Sequence, residues 1–65
     1  MGNIVVKPDS HKEGDKWIPD GMIQFYDGPT LKEHRETYYE IKLDNKESAD
    51  RYFIEASKKK YKIAE

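Results

Sequence analysis

The sequence predicts a small α+β domain: a three-stranded antiparallel β-sheet packed against one C-terminal α-helix. Three observations point there. Short β-branched or alternating apolar runs fill the first two thirds of the chain, Gly and Pro punctuate them, and one amphipathic stripe of helical period closes it. With 65 residues there is material for one core only, so residues 1–65 are read as a single domain.

The elements follow in order. Residues 3–7 (Asn-Ile-Val-Val-Lys) have the β-branched composition of a strand, which Pro8 ends because it cannot donate to a ladder. Residues 9–15 are polar and turn-rich and read as a surface loop. Residues 16–26 form an extended segment in which Pro19-Asp20-Gly21 marks a turn or bulge between two apolar pieces. Asp27-Gly28-Pro29-Thr30 is a second turn, and Pro29 directly after Gly28 argues for a loop longer than two residues.

Thr30 and Glu33 have the spacing of a capping box, but Tyr39, Ile41 and Leu43 alternate with polar residues. The third strand is therefore expected over residues 35–43, with a charged hairpin tip at 31–36 that can be strand, loop or helical turn. Asp44 is expected to cap the helix, with Glu47 completing the box. Ala49, Tyr52, Phe53, Ala56, Lys60 and Ile63 follow helical spacing and face the sheet, and the lysines of the last turns complement the helix dipole. The expected core pairs these with Ile4, Val6, Ile23, Phe25, Tyr39, Ile41 and Leu43, and Trp17 closes one end.

Composition narrows the function classes. Charged residues are 38% of the chain and hydrophobic ones 35%, which leaves a thin core, yet Trp17, Phe25, Phe53 and 5 tyrosines argue for order. There is no cysteine, so disulfides and thiolate metal sites are excluded. The net charge is −1, from 12 basic and 13 acidic side chains, and lacks the positive excess usual in a free-standing nucleic-acid binder. No apolar run reaches the roughly 18 residues of a membrane span, no signal peptide is visible, and Val6 stands where an N-myristoylation motif has Ser or Thr. A cytoplasmic location is expected by elimination.

The candidate sites are each weighed against a plainer role. Asp9-x-His11-x-Glu13-Gly14-Asp15 echoes a calcium loop poorly, lacking the oxygen ligand at the third position and the terminal bidentate Glu. His11 and His34, with acidic neighbours, are expected to be solvated, and Ser10 beside His11 does not make a nucleophile–base pair. No metal, cofactor or catalytic residue is therefore expected, and the chain is read as a non-enzyme. Lys58, Lys59 and Lys62 form a basic cluster that could contact phosphates, although solubility and the helix dipole are the favoured account of it. Tyr26 and Tyr38 are expected on the outer sheet face, and Ile54 and Tyr61 on one helix flank, as an interaction surface.

The expected function is a protein-interaction or assembly module, acting on a protein partner or as a weak homodimer through the sheet face, a strand edge or the helix flank. The alternative is a nucleic-acid-binding domain, since a three-stranded sheet backed by one helix is the layout of several sheet-reading DNA-binding domains. Glu33, Glu36 and Glu40 weigh against it, because they set negative charge where phosphates would lie.

Overall fold

The computed structural model describes residues 2–62. Within them the chain runs β1 (Gly2–Pro8), β2 (His11–Glu13), β3 (Lys16–Ile18), β4 (Asp20–Asp27), β5 (Thr30–Thr37) and α1 (Lys46–Tyr61). β4 is the central strand of a three-stranded antiparallel sheet, with β1 and β5 on its two sides, and α1 packs against this sheet. That is the α+β architecture the sequence predicts. β2 and β3 pair separately as a two-stranded hairpin.

The strand limits differ from expectation, and turn chemistry is the reason. Asp27 pairs directly with Thr30, so Gly28-Pro29 is a two-residue loop after all. Gly28 takes φ 62°, and the fixed negative φ of Pro29 suits the second central position of a type II′ turn. This turn fixes the register of everything after it, and the third strand is residues 30–37 rather than 35–43. The expected charged tip is thus itself the edge strand.

Residues 38–43 lie outside the sheet. Tyr38 N–H donates to Pro19 O at 2.9 Å, and Trp17 and Leu43 exchange backbone bonds of 2.7 and 2.9 Å in an isolated bridge. The Tyr39–Ile41–Leu43 alternation therefore does not mark a ladder face. Ile41 and Leu43 are half-buried, while Tyr39 is 66% exposed. Residues 11–13, expected as loop, are strand because Gly14 at φ 65° closes a second two-residue hairpin, Glu13 to Lys16.

The helix starts one residue later than predicted. Asn45, with extended φ and ψ, accepts from Ser48 N–H at 2.8 Å and is the N-cap. Asp44 is held instead by Lys16 at 2.5 Å. With Asn45 as cap, Ser48 occupies the third helical position, and no capping box forms with Glu47. At the other end Lys62, at φ 54°, donates its N–H to Lys58 O and terminates α1.

Ala49, Phe53 and Ser57 are the buried stripe of α1. Tyr52, placed in the core by its spacing, is 39% exposed, and Ile63 lies outside the described residues. Phe53 reaches the sheet at Gly21, where an added methyl would collide with Lys7 O on β1 and come within 2.7 Å of the ring. Ile18, Pro19 and Ile23 are fully buried with Phe53 and Ala49. Glycine at 21 is thus required by close approach, not by backbone conformation.

Gly21→Ala should destabilise the domain by about 1–3 kcal/mol through overpacking against the Lys7 carbonyl and Phe53. Lys59→Ala, on the exposed side of α1, should stay within about 0.5 kcal/mol. Urea unfolding of the two variants, followed by circular dichroism, checks this; equal shifts would refute the packing argument.

Candidate functional site

Because side chains alternate along β4, Gly21, Ile23 and Phe25 face α1, while Asp20, Met22, Gln24 and Tyr26 face away. Chemistry-bearing residues gather at one carboxylate on each side of the sheet.

On the side away from α1, Asp20 is the focus, with a side chain only 4% exposed. Its Oδ1 accepts from its neighbour Gly21 N–H and from Thr37 Oγ1, both at 2.8 Å. Its Oδ2 accepts from Arg35 Nη2 at 3.0 Å and lies 2.8 Å from His11 Nδ1. Arg35 also reaches Asp9 at 3.3 Å. The second ring nitrogen of His11 is 2.6 Å from Glu13 Oε2. A neutral imidazole has one N–H, whereas two carboxylates in hydrogen-bond range call for two; this arrangement suits the imidazolium. The bonds to Glu13 and then Asp20 raise the His11 pKa. Burial pushes Asp20 upward, but the bonds from Arg35, Thr37, His11 and Gly21 outweigh it and hold the carboxyl below its usual range.

On the helix side, Glu36 plays the corresponding part. Its Oε2 accepts from Tyr61 O–H, lies 2.6 Å from His34 Nε2 and is 3.2 Å from Lys60 Nζ. His34 stacks on Phe25 with ring centroids 5.5 Å apart, and Tyr61 meets the same Phe25 edge-on at 5.4 Å. Burial would raise Glu36, yet its hydrogen bonds from Tyr61, His34 and Lys60 lower it. Burial and the Glu36 carboxylate push Tyr61 up to about 12. Tyr61 is therefore a neutral donor locked to β5.

These contacts redistribute the residues singled out in the sequence. Tyr61 is engaged with Phe25 and Glu36, so it does not share a free flank with Ile54. Ile54 is half-buried and lines a shallow hollow of about 570 Å³ with Lys46, Glu47, Asp50 and Arg51. Tyr38 is not on the outer sheet face; its ring packs 5.9 Å from Phe53 and 5.8 Å from Tyr52. Tyr26 does face away from α1, half-buried, and its hydroxyl donates to Gln24 at 3.0 Å. Lys59 and Lys62 are exposed at the end of α1, and Lys58 lies 3.7 Å from Glu55.

The chemistry available is that of ion pairing. Both nitrogens of His11 are occupied by carboxylates, so neither is left to take a proton from Ser10, whose amide donates to Asp50 at 3.0 Å. Among the described residues no group of three or more His, Asp or Glu is arranged to hold a metal ion. No helix among them is long and apolar enough to cross a membrane. The Asp20 network was beyond the reach of sequence reasoning because Asp9, His11, Asp20 and Arg35 are joined only by the pairing of β4 with β5 and the fold-back of β2. No protein family, curated protein or solved structure matches the chain.

The raised His11 pKa makes its contribution complete below about 6.5, the unfolded value, and lost as pH rises through the folded value. The lowered Asp20 pKa makes its contribution present above about 3.9 and lost as pH falls through its folded value. The network should therefore stabilise most between about pH 4 and 6.5. Thermal melts should show a higher midpoint at about pH 6 than at about pH 8.5. His11→Gln should flatten that difference, and a difference unchanged by the substitution would assign the pH dependence elsewhere.

Proposed function

We propose that this chain is a non-catalytic protein-interaction module that receives a protein partner on the sheet face turned away from α1. The observation that supports this reading is the uneven cover of the sheet. One face is filled by Phe53, Ala49 and Tyr61 of α1. The other carries Val5 on β1, Met22 and Tyr26 on β4 and Leu31 on β5. Val5 and Leu31 are 38% and 49% exposed, and Met22 and Tyr26 are half-buried between them. The register sets Tyr26 beside Leu31, Val5 beside Gln24 and Met22 between Lys7 and Arg35, so the four apolar side chains form a broken band interleaved with polar ones. The β2–β3 hairpin reaches this face at its Asp20 end, through His11.

A broken apolar band interleaved with Asn3, Lys7, Gln24, Glu33 and Arg35 has the mixed composition of a protein-docking surface. The nucleic-acid alternative rests on Lys58, Lys59 and Lys62, which stand at the end of α1 on the opposite side of the sheet. The two surfaces cannot bind one strand together, and the open face mixes Lys7 and Arg35 with Glu33 and Asp20. We therefore place the protein partner first.

The test is affinity capture from the native cell with wild type and with Val5→Lys, scored for protein and for nucleic acid. Val5 is exposed, so the substitution should leave the melt within about 0.5 kcal/mol of wild type. A defined protein retained by wild type and lost with Val5→Lys is the expected outcome. Retention unaffected by the substitution, or capture of nucleic acid alone, would overturn the reading.

A further inference from the structure

We infer that the outer edge of β5 pairs antiparallel with the same edge of a second copy, with the two-fold axis passing through His34. The inference rests on the interaction-module reading, since it supplies that module with its own self-assembly surface. β5 is the last strand of its sheet: Lys60 and Tyr61 of α1 reach Glu36 on its helix-side face, and no strand among the described residues pairs with its far edge.

The backbone sets which residues offer hydrogen bonds to that side. A two-residue hairpin closes on a hydrogen-bonded pair, here Asp27 and Thr30, and such pairs recur at every second residue. The bond from Tyr38 N–H to Pro19 O at 2.9 Å confirms this alternation at the other end of the strand. Residues 30, 32, 34 and 36 therefore turn their backbone groups to β4. Leu31, Glu33, Arg35 and Thr37 turn theirs outward.

This alternation limits the registers open to a second copy. A regular antiparallel ladder must set outward residues opposite outward residues, so the axis has to pass through a residue rather than between two. Through His34, Glu33 of each copy faces Arg35 of the other, Lys32 faces Glu36, and Leu31 faces Thr37. Moving the axis to residue 33 sets Glu33 against Glu33, and moving it to residue 35 sets Arg35 against Arg35. Residues 32 and 36 as centres give Lys32 on Lys32 and Glu36 on Glu36. The charge order Lys-Glu-His-Arg-Glu is antisymmetric about His34, and among axes through residues 32–36 the one free of a self-facing full charge also makes every charged pair opposite in sign.

Edge strands rich in charge ordinarily resist pairing, because an incoming strand meets like charges or desolvates them. Here that protection operates against other strands and other registers and is lifted for one. Four hydrogen-bonded pairs would exchange about eight backbone bonds. The surface covered is small, so the dimer is expected to be weak and salt-sensitive.

Sedimentation of the purified chain from about 10 µM to 1 mM tests this without any partner, so its failure leaves the sheet-face reading standing. Wild type should shift toward dimer with concentration. Glu33→Arg and Lys32→Glu, both at exposed positions, should each weaken association by about tenfold, since each turns two symmetry-related attractions into repulsions. Arg35→Glu should do the same, and an equimolar mixture of Glu33→Arg with Arg35→Glu should associate again, because the mixed pair restores both contacts. Should Arg35→Glu fail to fold for want of its bond to Asp20, the two other variants decide the matter. A wild type that stays monomeric to about 1 mM, or a dimer indifferent to Glu33→Arg and Lys32→Glu, would overturn the inference.

Discussion

The fold turns on two adjacent residues at the start of β4 that face opposite ways. Gly21, having no side chain, lets the Phe53 ring settle onto the central strand. Asp20, pointing to the other side, draws His11, Arg35 and Thr37 to one buried carboxylate. Between them they seat α1 on one face and tie the β2–β3 hairpin and the end of β5 to the other. A buried charge is costly unless its partners are complete. Asp20 meets that condition by accepting at both oxygens, including from the Gly21 amide at 2.8 Å. A chain without cysteines and with few fully buried side chains depends on such a junction more than a larger domain would.

β5 shows how charge substitutes for a core. Leu31 is its one large apolar residue, and no burial of its own would hold the strand in place. Its ladder to β4 is reinforced from both faces. Arg35 and Thr37 bind Asp20 on one side, while Glu36 accepts from Tyr61 and Lys60 of α1 on the other. Five consecutive titratable residues, 32–36, thus belong to an ordered strand rather than a mobile tip. The high charge content that points toward disorder by composition is spent in part on fixing this strand.

How far the fold was legible follows from the same residues. The helix was readable because its stripe, its lysine-rich end and a capping Asx residue all agree; the cap is Asn45 rather than Asp44, which pairs with Lys16. The first strand and the three-strands-plus-helix layout were readable from β-branched runs and turn signals. The third strand was not. Alternation at Tyr39, Ile41 and Leu43 is a real burial signal for Ile41 and Leu43, but they pack near the bridge with Trp17 instead of in the sheet. The turn Gly28-Pro29 held the decisive information, and its φ pattern outranks side-chain alternation because register is inherited from the turn. Pro19-Asp20-Gly21 read as punctuation because the roles of Asp20 and Gly21 are set by partners remote in sequence, Arg35, Thr37 and Phe53. No local pattern encodes such distances. The docking residues split along the same line: Tyr26 was placed by strand alternation, whereas Tyr38 and Tyr61 were drawn inward by rings far along the chain.

The two surfaces left over by these constraints are geometrically compatible. The open face is formed by side chains pointing away from α1, and the β5 edge is formed by backbone groups lying in the plane of the sheet. Pairing at the edge leaves the face uncovered. With the two-fold axis normal to the sheet, both copies of α1 fall on one side and both apolar bands on the other, so the bands become parts of one wider platform. Leu31, at the margin of the band in a single chain, would then lie near the middle of that platform, opposite Thr37 of the second copy. A partner reading such a surface would meet two equivalent bands related by symmetry, and would gain from engaging both at once when its own spacing allows it. The same edge that is charged enough to discourage unrelated strands would in this way enlarge the face on which a partner docks.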